Sequence, residues 1–251
     1  MNSAMYSIFF HNYYGQHRKW IEFFSKKMTI PFNLFYNIVE DSFYNGGEDD
    51  AILVEPKDGV TGSYLNKLTV RKSPNLGKDI GGKLVLLDTY LHLKEETEFI
   101  IFMHDKKSPH KIQNKEWQQK LFQIVEPDFI AQALSFFKAN PKTGIIAMQE
   151  SIQNEYDYSQ QSFRGTNQLQ LTQLRSEYGI KNTDYRHVAG TMFWVRSLPL
   201  ISFFTKHSPL NIRKTLESGN VMDENTGTIT HAWERMLSWI ITEQGYTIKG
   251  F

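Results

Sequence analysis

The sequence has no cysteine, which excludes disulfides, thiolate nucleophiles, Cys-ligated zinc and iron–sulfur clusters. It also lacks an excess of charge of either sign: 28 Lys plus Arg stand against 27 Asp plus Glu, a formal net charge of +1. With no global surplus of cations to displace counterions from phosphates, and no basic stripe, a nucleic-acid partner is not expected. Long apolar runs are missing too. The nearest, Phe99 to Met103 and Leu198 to Phe204, fall far short of the roughly 20 residues a spanning helix needs. No basic segment precedes Ile8-Phe9-Phe10, which stops at His11-Asn12, so no signal peptide is read and a cytoplasmic location is expected. The eight His show no H-x-x-x-H or comparable spacing, which argues against zinc. There is no G-x-S-x-G elbow, no repeat, no low-complexity tract and no Pro/Ser-rich linker, so residues 1–251 read as one domain.

What is present is apolar and aromatic. Hydrophobic residues make up 40% of the 251 and aromatic residues 14%, enough to bury about three quarters of the unfolded surface without a staple. Most rings fall at core periodicity, so Trp194, Trp233 and Trp239 read as packing. Tyr6 to Tyr13 reads as a buried strand, and Gly15 turns it into a helix with Trp20, Phe23, Phe24 and Met28 on one stripe. Phe32, Leu34, Tyr36 and Ile38 recur at period 2 in a second strand, followed by a turn-rich loop at Asn45 to Asp50. Leu68 to Arg71 reads as a strand entering the Ser73–Gly82 loop, and a helix carrying Leu84, Leu87 and Leu91 follows. Glu98 to Met103 is a further apolar strand. Two helices come next, one with Trp117, Leu121 and Ile124, the other opened by Pro127, and then a strand at Gly144 to Met148. Gln149 to Thr166 reads as a long surface loop. A helix ending near Tyr178-Gly179 precedes one strand from His187 to Arg196, and a last helix runs from Thr230 as N-cap to Gly245. Alternating strands and helices predict an α/β fold with a mostly parallel central sheet flanked by helices.

In such sheets ligands bind beyond the carboxyl ends of strands. Three polar segments lie there. His104-Asp105-Lys106-Lys107-Ser108 offers donors and positive charge to a diphosphate, or is a solvated basic turn. Asn75-Leu76-Gly77-Lys78-Asp79-Ile80-Gly81-Gly82 permits close backbone approach at a helix start, or is a structural turn; it matches neither the dinucleotide fingerprint nor Walker A. Thr230-His231-Ala232-Trp233-Glu234-Arg235 sets a carboxylate beside a His and an Arg, for proton transfer or as a capped helix with an ion pair.

Five segments in order, Ile8 to Tyr14, Asn75 to Gly81, Phe102 to Ser108, Ala189 to Arg196 and His231 to Arg235, resemble the rhamnan synthesis protein F family of bacterial polysaccharide glycosyltransferases. The resemblance implies a GT-A-like fold and transfer of a sugar, rhamnose from a dTDP donor, onto a glycan or lipid-linked glycan acceptor. It implies Glu234 as base, with His231 and Arg235 orienting it or contacting phosphate. His104, Lys106, Lys107 and Ser108 would hold the diphosphate, and Asn75, Gly77, Lys78 and Asp79 the nucleotide or sugar. His11 and Tyr13 would lie near the nucleobase, and Gly190 and Thr191 would shape the acceptor side. The Asp-x-Asp that holds Mg or Mn in many such enzymes is absent; the triplet here is His104-Asp105-Lys106, which leaves a divalent cofactor open. Lys106 with Lys107 is expected to stand in for its charge. Other polysaccharide-assembly proteins and the inner membrane face are the expected surroundings. A non-catalytic nucleotide- or glycan-binding subunit of an assembly complex is the alternative, which turnover of a labelled donor separates.

Overall fold

The computed structural model describes residues 4–40, 64–105, 119–223 and 226–251. Lys106, Lys107, Ser108, Trp117 and the Asn45–Asp50 loop lie outside the described residues. The chain begins with β1 (Tyr6–Asn12), α1 (His17–Lys27), β2 (Phe32–Val39), β3 (Leu65–Ser73), α2 (Lys78–His92) and β4 (Phe99–His104). It continues through α3 (Pro127–Ala139), β5 (Thr143–Ala147), β6 (Ile152–Asn154), β7 (Tyr156–Asp157), β8 (Ser162–Phe163) and α4 (Gln168–Glu177). Then follow β9 (Arg186–Val188), β10 (Phe193–Arg196), α5 (Ser197–Lys206), α6 (Pro209–Arg213), α7 (Ile229–Glu243) and β11 (Thr247–Gly250).

Among the described residues the central sheet has seven strands in the order β11-β5-β10-β4-β1-β2-β3. Pairing is parallel throughout except for β10, which runs antiparallel to both β4 and β5. The α/β expectation holds. β1, β2, β4 and β5 are buried at every position, because helices cover both faces and a strand so enclosed needs apolar groups on each. Period 2 divides them between two cores: Phe9, Phe35 and Phe102 pack with Leu84 and Leu87 of α2 and Trp233 and Leu237 of α7. Phe10, Tyr36 and Met103 pack with Phe24 of α1 and Phe129 and Ala133 of α3. Trp194, Trp233 and Trp239 are fully buried, so these rings are packing.

Three sequence expectations are corrected. Gln149 to Thr166 is not one loop: β6 pairs with β9, and β7 with β8. His187 to Arg196 is two strands, since Gly190 and Thr191 both take positive φ, 77° and 51°, and turn the chain between β9 and β10. Thr228, not Thr230, caps α7 by accepting the His231 N–H, while the Thr230 hydroxyl donates to Glu217. Among the described residues no helix is long and apolar enough to cross a membrane.

Candidate active site

β1 and β4 are parallel neighbours with His11 opposite His104, on the face that α2 covers. The register brings both imidazoles to the carboxyl edge of the sheet. The start of α2 closes down on them. A Cβ on Gly82 would lie 1.9 Å from His11 Nδ1, and one on Gly81 would lie 1.7 Å from the Leu76 carbonyl oxygen, so neither position admits a side chain. Glycine inside a helix costs about 1 kcal/mol relative to alanine, and here it allows this approach.

Asp79 and Lys83, one turn apart on α2, meet His104 and Thr191 at one point. Lys83 Nζ donates to Asp79 Oδ2 at 2.6 Å and to Thr191 Oγ1, and lies 3.4 Å from His104 Nδ1. His104 Nδ1 lies 3.1 Å from Asp79 Oδ2, and the Thr191 hydroxyl donates to the same oxygen. Lys83 is fully buried, whereas 25% of the Asp79 side chain is exposed, so this cluster meets solvent through a carboxylate. Burial alone would raise the Asp79 pKa; the Lys83 ammonium and His104 outweigh it and hold the carboxyl well below its usual range. His11 accepts from Asn37 Nδ2 at 3.1 Å, and burial pushes its pKa down to about 3, so it is neutral.

A second cluster forms at the start of α7. Glu217 accepts the N–H groups of Ile229 and Thr230. His231 Nδ1 lies 2.8 Å from Asp223 Oδ1 and 2.6 Å from Thr228 Oγ1, and its Nε2 lies 3.4 Å from Lys78 Nζ. Burial lowers the Lys78 pKa, opposed by Asp79, Asp223, Glu234 and Glu217. Glu234 accepts the Gly190 N–H on Oε1 at 2.5 Å and Arg235 Nη1 on Oε2 at 2.9 Å. Arg235 also donates Nε to Glu155 Oε2 at 3.0 Å. Burial raises the Glu155 pKa despite that guanidinium.

The Gly190–Thr191 turn joins the two clusters: Gly190 binds Glu234 and Thr191 binds Asp79. Hydrogen bonds and close charges thereby link His11, His104, Lys78, Asp79, Gly190, Thr191, His231, Glu234 and Arg235 into one group at the carboxyl edge of the sheet. Other expected site residues serve its frame. Asn75 Nδ2 donates to Asn220 Oδ1, the Gly77 N–H donates to the Glu217 carbonyl, and the Tyr13 hydroxyl accepts from Asn220 Nδ2. Asp223 and Arg235 reach from this group into a cleft of about 550 Å³ that Gln153, Asn154, Glu155 and Asn167 also line.

Sequence reasoning missed Lys83, Asp105 and Asp223. The signal for Lys83 was its i,i+4 spacing from Asp79. Asp105 accepts Asn12 Nδ2 and the backbone N–H groups of Tyr13 and Tyr14, at 2.6 to 2.7 Å, so it fixes the turn after β1. With that carboxylate turned to the backbone and His104 bonded to Asp79, the described residues do not fit a divalent cation at the triplet.

The chain is an α/β protein with a mostly parallel sheet and polar side chains gathered at its carboxyl edge, the edge at which open α/β sheets take ligands. The chain belongs to the rhamnan synthesis protein F family, which matches residues 6–246. It is 24% identical over 177 residues to proteins named uncharacterized protein WxcX from two strains of Xanthomonas campestris pathovar campestris. That match covers 69% of this chain and 24% of the relative, so the chain spans about a quarter of the length of the curated relatives it matches. A solved structure described as the WbbM bifunctional glycosyltransferase in its apo form aligns over 99% of this chain and 44% of that one, with a TM-score of 0.46 and 13% identity.

Proposed function

We propose that the chain is a glycosyltransferase of bacterial polysaccharide synthesis. It moves rhamnose from a dTDP donor onto a glycan or lipid-linked glycan, with inversion. Family membership supports the polysaccharide context. The observation that carries the reading is the Gly190–Thr191 turn, which ties the Asp79 and Glu234 clusters together. Such a transfer needs cationic donors at the departing diphosphate, a proton acceptor at the attacking hydroxyl and a positioned sugar.

Lys78, His104 and Arg235, together with Lys106, Lys107 and Ser108, are assigned to the diphosphate side. Asp79, kept ionised, is assigned to a hydroxyl of the donor sugar or ribose, and His11 and Tyr13 to the nucleotide end. The amide-rich cleft at Gln153, Asn154 and Asn167 is assigned to the acceptor saccharide, whose hydroxyls amides pair with in both senses. Side-chain cations stand in for a metal. The site is assigned to the cytoplasmic side of the inner membrane, where lipid-linked acceptors and other assembly proteins would be met.

Incubation with dTDP-rhamnose and a rhamnose-containing oligosaccharide tests this. Transfer undiminished in chelator is the expected result. Binding of the donor without turnover would replace the reading with a nucleotide-binding subunit.

A further inference from the structure

Two side chains at the start of α7 compete for the proton of the attacking hydroxyl. Glu234 has a hydrogen-bond donor on each oxygen, the Gly190 N–H and Arg235 Nη1, and the bond to Gly190 holds the turn between β9 and β10. His231 is differently placed. Asp223, whose carboxyl stays ionised because hydrogen bonds from Asn167, Thr228 and His231 oppose burial, only accepts, so the His231 Nδ1 facing it carries the proton. Lys78 only donates, so the Nε2 it faces presents a lone pair, and the acceptor hydroxyl takes the place of Lys78 across that long 3.4 Å contact. A carboxylate that fixes the tautomer of an imidazole and leaves its other nitrogen without a proton is the arrangement that makes imidazole a proton acceptor. Lys78 from α2 and Asp223 from the segment before α7 lie against the ring; Asp79, Asp223, Glu217 and Glu234 act on Lys78 in turn, and Arg235 Nη1, one turn along α7, donates to the His231 carbonyl.

We propose that His231, oriented by Asp223, and not Glu234, takes the proton of the acceptor hydroxyl, an inference that rests on the transferase reading above. As the acceptor O–H bond breaks, its proton passes to Nε2 and the oxygen bonds to the anomeric carbon of the donor. The bond from that carbon to the diphosphate breaks, and its electron pair leaves with the nucleoside diphosphate. Asp223 is a positioning residue that stays ionised throughout. Glu234 positions the Gly190–Thr191 turn.

The test combines kinetics with a tautomer measurement. His231→Gln should lower kcat for rhamnosyl transfer by about 10²–10⁴ and flatten its pH profile, with dTDP still raising the melting temperature as in the wild type. Glu234→Gln should lose at least about tenfold less. Long-range proton–nitrogen spectra of the imidazoles, with His231 assigned from the His231→Gln variant, should show a proton on Nδ1, and Asp223→Asn should move it toward Nε2. A His231→Gln rate within about fivefold of wild type, a larger loss in Glu234→Gln, or an Nε2–H tautomer in the wild type would each overturn the proposal. If the wild type transfers nothing while the Nδ1 tautomer is observed, the transferase reading itself is what has failed, and the proton-acceptor role falls with it.

Discussion

Gly190 points its backbone N–H at Glu234 Oε1, 2.5 Å away, and this bond fixes the turn between β9 and β10 from below. Thr191, the next residue, is β-branched yet held at φ 51°, a conformation that costs of order 1–3 kcal/mol and persists only where surroundings impose it. Glu234→Ala removes the acceptor and leaves a part-buried N–H unpaired. We expect a stability loss of about 1–3 kcal/mol by urea denaturation, with transfer falling as the turn relaxes. Unchanged stability would mean that the turn does not depend on this contact.

Lys83 is fully buried and reaches Asp79, His104 and Thr191. Replacing it with Met removes the ammonium that offsets the buried side of the Asp79 carboxylate. Breaking a buried pair from one side costs about 3–5 kcal/mol, and that is the loss expected for Lys83→Met. The double variant Lys83→Met with Asp79→Asn should recover part of it. Additive losses in the double variant would show that the two groups are not coupled.

His11 and His187 are buried, and burial pushes both pKa values down to about 3. In the unfolded chain each takes up a proton near its ordinary value of about 6.5, so between roughly 6.5 and 3 the unfolded state binds more protons. Stability is therefore complete above that window and falls as pH decreases, by about 1.4 kcal/mol per pH unit for each imidazole. Denaturation curves at neutral pH and near pH 5 should differ by a few kcal/mol, and His187→Asn should shrink the difference. Equal stabilities would contradict the burial assigned to these rings.

Gly82 sits under the His11 ring, where a Cβ would come within 1.9 Å of Nδ1. Gly82→Ala ought to gain helix propensity; instead a loss of about 1–3 kcal/mol from overpacking is expected, along with a weaker response to dTDP in thermal melts. A stabilised variant would show that α2 does not press on β1 there.

Much of this fold was legible because buried strands and amphipathic helices write their periods into sequence. Phe32 to Ile38 alternate, and Trp233 to Ile241 form a stripe, whatever surrounds them. The short strands β6, β7 and β8 left no such mark, since two or three residues carry no period and their pairing depends on distant partners. Thr228 and Thr230 are both good caps, and only the position of Glu217 decides between them. At the site, His231 and Glu234 could be picked from their helix start, but their division of labour could not. It depends on Asp223 and Gly190, 8 and 44 residues away in the chain, arriving by tertiary folding. Asp105 was hidden for the same reason, because its donors come from the turn after β1.

The proposed movement of a sugar by these converging groups is the step on which every other role at the site depends. Mass spectrometry of a rhamnose-containing oligosaccharide, incubated with the protein and dTDP-rhamnose in the presence of chelator, reads this most directly. The expected products are an acceptor heavier by one deoxyhexose and free dTDP in equal amount, both formed about 10²–10⁴-fold more slowly by His231→Gln. An acceptor of unchanged mass while the donor raises the melting temperature of the wild type would contradict the proposed transfer.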